Sequence, residues 1–287
     1  MDTPSVDVLR PVITDLIVFF SLGSFDLYTA KIMKPFRRGF FCDDTSIRYP
    51  YSESTVPALV LNIVGTLIPL LLVFIGEYRD QRRNKKTNSS YHFGRYKIKA
   101  YYWSVYQKIV CFASGALFTL LITDVAKKVI GRLRPNFIDV CRIDMRNVCK
   151  TINYEYITNY TCAEGDSVVN ESRVSFPSGH SSFSFYVAVF IVLYLEKRLK
   201  TRTFFLKPAI QFLVILLAWF VALSRVMDNK HHWSDVLCGI LIGSSVAIIN
   251  TGLVHSMFED RKPSSASPAA ANGNRTNGVS HEAHDQL

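Results

Sequence analysis

Phe176-Pro177-Ser178-Gly179-His180-Ser181-Ser182 separates a long polar segment from an apolar run, and its composition marks a chain turning into a helix. Pro177 and Ser178 suit a helix start, Gly179 lets the backbone approach a ligand, and His180 adds a titratable ring. Bare amides at a helix start, beside a hydroxyl and an imidazole, form a cradle for phosphate. The same residues also make an ordinary helix cap. What stands elsewhere in the chain decides between the two.

Outward from this stretch the chain is apolar in long runs. Of its 287 residues 49% are hydrophobic and 13% aromatic, and several runs approach the ~20 residues a helix needs to cross a hydrocarbon core. Six spans are expected, at about residues 12–28, 57–75, 105–126, 182–195, 208–223 and 236–254. The fourth reaches spanning length only if its helix starts near Ser178, which puts His180 at the membrane face. Asp15 and Asp26 fall in or at the ends of the first span, where carboxylates face a bundle interior or the interface. The residues before that span carry no basic leader for a cleavable signal, so it is expected to stay as an anchor. The expected fold is an all-α polytopic bundle of six transmembrane helices, residues 1–258, with an outer loop of about 127–180. Residues 259–287 form a low-complexity cytoplasmic tail without a face to bury, expected to be disordered.

The formal charge of +10 sits in short connections between the spans, a pattern that suits anionic membrane surfaces and anionic substrates rather than nucleic acid. Arg79, Arg82, Arg83, Lys85 and Lys86 follow the second span, and Lys197, Arg198, Lys200, Arg202 and Lys207 follow the fourth. The positive-inside rule makes both connections, and both termini, cytosolic. Asn159 and Asn170 then head glycosylation sequons in the outer loop, whereas the sequons at Asn88 and Asn274 fall on the cytosolic side. Cys42, Cys141, Cys149 and Cys162 also fall outside, where four cysteines allow three disulfide pairings. Cys111 and Cys238 lie in spans as small packing residues.

In a six-span chain the ends of odd spans and the starts of even spans share one face. That parity brings three distant clusters together: Lys127 to Pro135, Ser178 to His180, and Ser224-Arg225 with His231 to Asp235. Lys127, Arg134 and Arg225 supply permanent charge for phosphate oxygens. Ser178 and the amides of Gly179 and His180 add donors. His231 and Asp235 are four apart and share a helical face, so the carboxylate can orient one imidazole nitrogen and leave the other as a nucleophile. His232 is three from Asp235 and reaches it equally well, so spacing does not choose between the histidines. His180 can protonate a leaving alcohol and then activate water. No compact carboxylate or thiolate set accompanies these histidines, and no metal or other cofactor is expected.

Lys127 through Arg134-Pro135, Pro177-Ser178-Gly179-His180, and Ser224-Arg225 through His231 and Asp235 resemble the three-part signature of the type 2 phosphatidic acid phosphatase superfamily. Gly39-Phe40-Phe41-Cys42, Gly76-Glu77-Tyr78-Arg79 and His231-His232-Trp233-Ser234-Asp235 resemble its animal lipid phosphate phosphatases. The likeness covers about residues 12–254, with Pro177 a local departure. It implies His231 as nucleophile, Asp235 as its partner and His180 as acid–base residue. Lys127, Arg134, Ser178, Gly179 and Arg225 become phosphate contacts. It further implies metal-independent hydrolysis of lipid phosphate monoesters (phosphatidate, lysophosphatidate, sphingosine 1-phosphate, ceramide 1-phosphate) through a phosphohistidine. The expected setting is the plasma membrane with the site extracellular or lumenal. Lipid phosphates and the bilayer are the expected partners, nucleic acid is not, and a homo-oligomer stays open. A phosphatase of polyprenyl diphosphate or sugar phosphate, and a non-catalytic membrane scaffold, are the competing readings.

Overall fold

The computed structural model describes residues 6–84, 90–149 and 155–253. The tail at 259–287 and the sequons at Asn88 and Asn274 lie outside these residues. Six helices are long and apolar enough to cross a membrane: α1 (Leu9–Lys31), α2 (Ala58–Asn84), α3 (Ala100–Ile130), α7 (Gly179–Arg198), α8 (Leu206–Met227) and α9 (Trp233–Leu253). The chain is an integral multi-pass membrane protein. Each helix begins or ends beyond the apolar run expected for it, because polar side chains at both ends of the bundle find partners. At the end away from Ser178, Glu77 of α2 pairs with Arg198 of α7 at 2.9 Å and accepts from Ser104 of α3 at 2.5 Å. These bonds let α2 run on past Ile75 to Asn84.

α7 is the hub. Nearly its whole circumference is buried against α2, α3, α8 and α9, so it shows no one-sided apolar stripe. Tyr186, Phe190 and Tyr194 stack through the core with Phe112 tilted against them, and the Tyr186 hydroxyl donates to the Phe112 carbonyl at 2.6 Å. α7 and α9 approach so closely that a Cβ on Gly243 would strike the Ser182 carbonyl. Small residues are what let membrane helices pack at that distance. α1 and α8 instead turn Ile17, Phe20, Phe212 and Leu217 outward, as lipid-facing helices do. Within α1, Asp15 accepts from the Tyr106 hydroxyl of α3 at 2.9 Å, so this carboxylate does face a neighbouring helix.

A second core caps the Ser178 end. It holds β2 (Phe40–Phe41), paired antiparallel with β5 (Tyr156–Ile157), the 3-10 turn Thr45–Ile47, and the short helices α4 (Phe137–Cys141), α5 (Met145–Val148) and α6 (Asp166–Glu171). Of the three pairings that Cys42, Cys141, Cys149 and Cys162 allow, the structure has Cys42–Cys149 and Cys141–Cys162. Cys111 and Cys238 are free, the first buried in the core. At the other end β3 (Ser90–Phe93) and β4 (Tyr96–Lys99) form a hairpin, and β1 (Val6–Asp7) adds parallel to β3. These strands were not expected. They are too short and too polar to stand out in the sequence.

Candidate active site

The site grows from the start of α7. After a cis Phe176–Pro177 bond, Ser178 caps the helix, its hydroxyl accepting from the Ser181 amide at 3.4 Å. The Ser178 amide donates to the Asp235 carbonyl at 3.0 Å, which fixes α7 to the start of α9. Across from it α3 ends at Gly131, a left-handed residue (φ 58°) that lets the chain turn away after Lys127 and Lys128. Lys127 lies over the positive end of α7: a Cβ on Gly179 would sit 3.0 Å from its Nζ. Asp124 holds the ammonium at 2.8 Å. An anion placed here meets a lysine charge and a helix terminus together.

His231 is almost wholly buried, and its Nδ1–H donates to the Ser175 carbonyl at 2.6 Å. That bond fixes the tautomer, leaving the Nε2 lone pair open. Here the structure departs from the expected pairing. The Asp235 carboxylate is 4.0 Å from His231 Nδ1 and is engaged by other donors: Arg132 Nη1 at 2.5 Å, the Ser175 hydroxyl at 2.6 Å, and the His232 amide and ring at 3.0 and 3.1 Å. Asp235 therefore acts on His231 through Ser175, whose hydroxyl it holds while the carbonyl of the same residue holds the imidazole. The cause is geometric. A residue in the loop before α7 reaches between the first turn of α9 and the histidine that precedes it.

Burial, and then the charge of Arg134, push the His231 imidazole well below its ordinary pKa; Lys127 and His180 act in the same direction, against the Ser175 bond. The ring is thus neutral, as a nucleophile must be. The unfolded chain takes up this proton near pH ~6.5 and the folded chain only at much lower pH, so protons favour the unfolded state. Stability is expected to fall as pH drops below about 6.5, and His231→Gln should flatten that fall. Melting curves of detergent-solubilised protein at pH 5 and pH 7 check this; equal slopes for both proteins count against it.

The remaining cations line the same end. Arg225, in the last turn of α8, is buried and paired with Asp228, while its Nη1 donates to the Ser54 hydroxyl at 3.3 Å. Asp228 also accepts from the amide and hydroxyl of Thr55 at 2.8 and 2.6 Å. Arg134 pairs with the largely exposed Glu171 at 2.5 Å. His180 Nε2–H donates to the Val56 carbonyl at 3.1 Å, leaving Nδ1 to exchange a proton. Lys127, Arg134, Ser178, Gly179, His180, Arg225, His231 and Asp235 are all gathered at this one end of the bundle.

Sequence reasoning missed Arg132, Ser175, Asp228 and the Ser54–Val56 segment. Arg132 sat unremarked within the Lys127–Pro135 run, and a backbone carbonyl leaves no mark in a sequence. Among the described residues no three His, Cys, Asp or Glu side chains are grouped to hold a metal ion. Asn159 is exposed and Asn170 partly so, on the cap around the site.

A profile described as the PAP2 superfamily matches residues 108–261. A Drosophila melanogaster relative is 42% identical over 258 residues; the match spans 85% of this chain and 65% of that protein's length. Phospholipid phosphatase 1 of Rattus norvegicus is 38% identical over 251 residues, 86% of each chain. Phospholipid phosphatase 2 of Bos taurus is 37% identical over 235 residues, 80% of this chain and 77% of that one. A solved transmembrane PAP2 type phosphatidylglycerolphosphate phosphatase from Bacillus subtilis matches at a TM-score of 0.37 and 18% identity, over 85% of this chain and 96% of that one.

Proposed function

From the premise that this chain belongs to the PAP2 superfamily, we propose that it hydrolyses lipid phosphate monoesters through a phosphohistidine on His231. The observation that carries this reading is a neutral, buried His231 with Nε2 open and the charges of Arg134 and Lys127 around it. Relatives named phospholipid phosphatase, matched over most of their length, support the same reaction class.

The chemistry follows from the positions. Lys127, Arg134 and Arg225, with the Ser178 hydroxyl and the α7 amides, hold the phosphoryl oxygens and stabilise charge as the transition state forms. His231 Nε2 attacks phosphorus, the bond from phosphorus to the lipid oxygen breaks, and His180 gives that oxygen its proton. Water then attacks the phosphohistidine, His180 takes the water's proton, and inorganic phosphate leaves with His231 restored. Asp235 and Arg132 keep Ser175, and with it the His231 tautomer, in place. The lipid chain stays in the bilayer while its headgroup reaches the helix ends. Phosphatidate, lysophosphatidate, sphingosine 1-phosphate and ceramide 1-phosphate are the proposed substrates. Purified protein offered these lipids in mixed micelles, beside a polyprenyl diphosphate and a sugar phosphate, is expected to release phosphate from the lipid monoesters foremost. Release from the sugar phosphate alone would overturn the proposal.

The site is proposed to face the extracellular or lumenal side of the plasma membrane, with both termini cytosolic and residues 259–287 a cytoplasmic tail. Glycans sensitive to endoglycosidase are then expected on Asn159 and Asn170. A glycan on Asn88 in their place reverses the topology.

A further inference from the structure

Beside the catalytic end, outside the bundle, lies a cavity of about 510 Å³ whose walls include Tyr51, Ser54, Arg134, Asn136, Glu171 and Lys230. This is the size of a small-molecule site, and it is joined to the catalytic cradle by shared groups. Arg134 belongs to both, Ser54 is hydrogen-bonded to Arg225, and Lys230 directly precedes His231 in the chain.

Two features of the cavity call for an anion, and a third for a donor such as the proton of a monohydrogen or dihydrogen phosphate. Lys230 is only 7% exposed, yet its ammonium rests 3.6 Å from the centre of the Tyr51 ring, with no carboxylate within ion-pair distance among the described residues. Burial, and then the nearby charges of Arg134 and Arg225, push it down to about 8 against the opposing charges of Asp228 and Glu171, so it carries its charge at neutral pH at a cost. Arg134 spends one nitrogen on the largely exposed Glu171, and its Nε is buried without a hydrogen-bond partner. Asn136 is 1% exposed, and its amide oxygen likewise has no partner. Buried polar groups are ordinarily satisfied, and unsatisfied ones lining a cavity call for a partner there, an ordered water or a bound ion. The amide can present its donors or its acceptor, so it suits a hydrated or partly protonated phosphate.

We propose that this cavity is a second phosphate site, an antechamber in which Lys230, Arg134 and Asn136 hold inorganic phosphate between the catalytic cradle and the aqueous side. The inference rests on the phosphatase reading and extends it. Of the two products, the lipid alcohol returns to the bilayer, but the phosphate dianion has to leave through water. Phosphate re-entering from solution takes the same route backward. The lipid substrate approaches from the membrane and bypasses Lys230.

The test is a split between two constants, measured on the full chain in mixed micelles with lysophosphatidate as substrate and inorganic phosphate as inhibitor. Lys230→Gln is expected to raise the inhibition constant for phosphate at least fivefold, while KM for the lipid changes less than twofold. Lys230→Arg should keep the wild-type inhibition constant, and Asn136→Asp should weaken phosphate inhibition through repulsion. An unchanged inhibition constant in Lys230→Gln overturns the proposal. If KM rises in parallel, the cavity serves the phosphate of the incoming lipid and the exit role is lost. A wild-type chain that turns over no lipid phosphate fails the phosphatase reading separately. Calorimetric titration of inorganic phosphate into wild type and Lys230→Gln then decides the cavity alone: weaker binding by the variant upholds the site, and equal binding removes it.

Discussion

His231→Ala is expected to lower phosphate release from a lipid monoester by at least about 10⁴-fold, the scale on which losing a nucleophile is felt. The protein should still insert and fold, because the imidazole's one hydrogen bond goes to the Ser175 carbonyl and no helix contact depends on it. The informative contrast is His232→Ala. His232 lies next in the chain and is bonded to Asp235 at 3.1 Å, but its Nε2 is buried away from any partner. Its loss should loosen Asp235 and slow turnover by about 10–100-fold, the scale of losing a partner that orients a working group. Brief exposure to a ³²P-labelled lipid phosphate, followed by quenching in base, reads the difference directly. Wild type and His232→Ala should carry a base-stable, acid-labile label that His231→Ala lacks. A labelled His231→Ala protein would move the nucleophile elsewhere.

The second large effect belongs to His180→Ala, and it should depend on what is leaving. A lipid alkoxide is a poor leaving group and needs a proton as the bond to phosphorus breaks, so general-acid loss should cost about 10²–10⁴-fold. An aryl phosphate expels a stable phenolate and needs little help. With that substrate the variant is expected to release phenol in a rapid burst of about one equivalent and then stall, since the water that cleaves the phosphohistidine has lost its base. Stopped-flow absorbance checks this. Equal losses for both substrates without a burst would make His180 a structural residue, held by Val56, and remove its proton-transfer role.

Much of this arrangement was legible in the sequence. Six apolar runs fixed the helices because a bilayer admits few alternatives, and span parity alone put Lys127, Ser178 and Arg225 on one end. What stayed hidden shares one cause. The Ser175 carbonyl, the Val56 carbonyl and the Arg132–Asp235 pair are contacts made by backbone atoms, or by side chains 103 residues apart, and neither leaves a local pattern. Spacing made Asp235 the partner of His231, because four residues on a helix do share a face. His231 precedes the first turn of α9, however, and so escapes that rule. The disulfide pairing was hidden for a combinatorial reason, and only the cap's packing selects it. Helix ends ran past expectation where a buried pair such as Glu77–Arg198 made a polar extension stable.

The Cys42–Cys149 bond spans a sequence separation of 107, and both α2 and α3 lie between its ends. The chain is therefore a covalent ring containing two complete membrane crossings. Such a ring can close only when α2 and α3 have returned the chain to the end it left, where Cys42 and Cys149 meet in the cap. The Cys141–Cys162 bond, with a separation of 21, can form within the cap by itself. Once closed, the larger ring makes the protein indifferent to a single break between α2 and α3: a protease that cuts there leaves two pieces that one sulfur bond still holds together. The residues proposed to hold phosphate, from Lys127 to Asp235, all lie on the second piece, while Ser54 and Val56, which bond Arg225 and His180, lie on the first, so the tether also keeps the two parts of the site together.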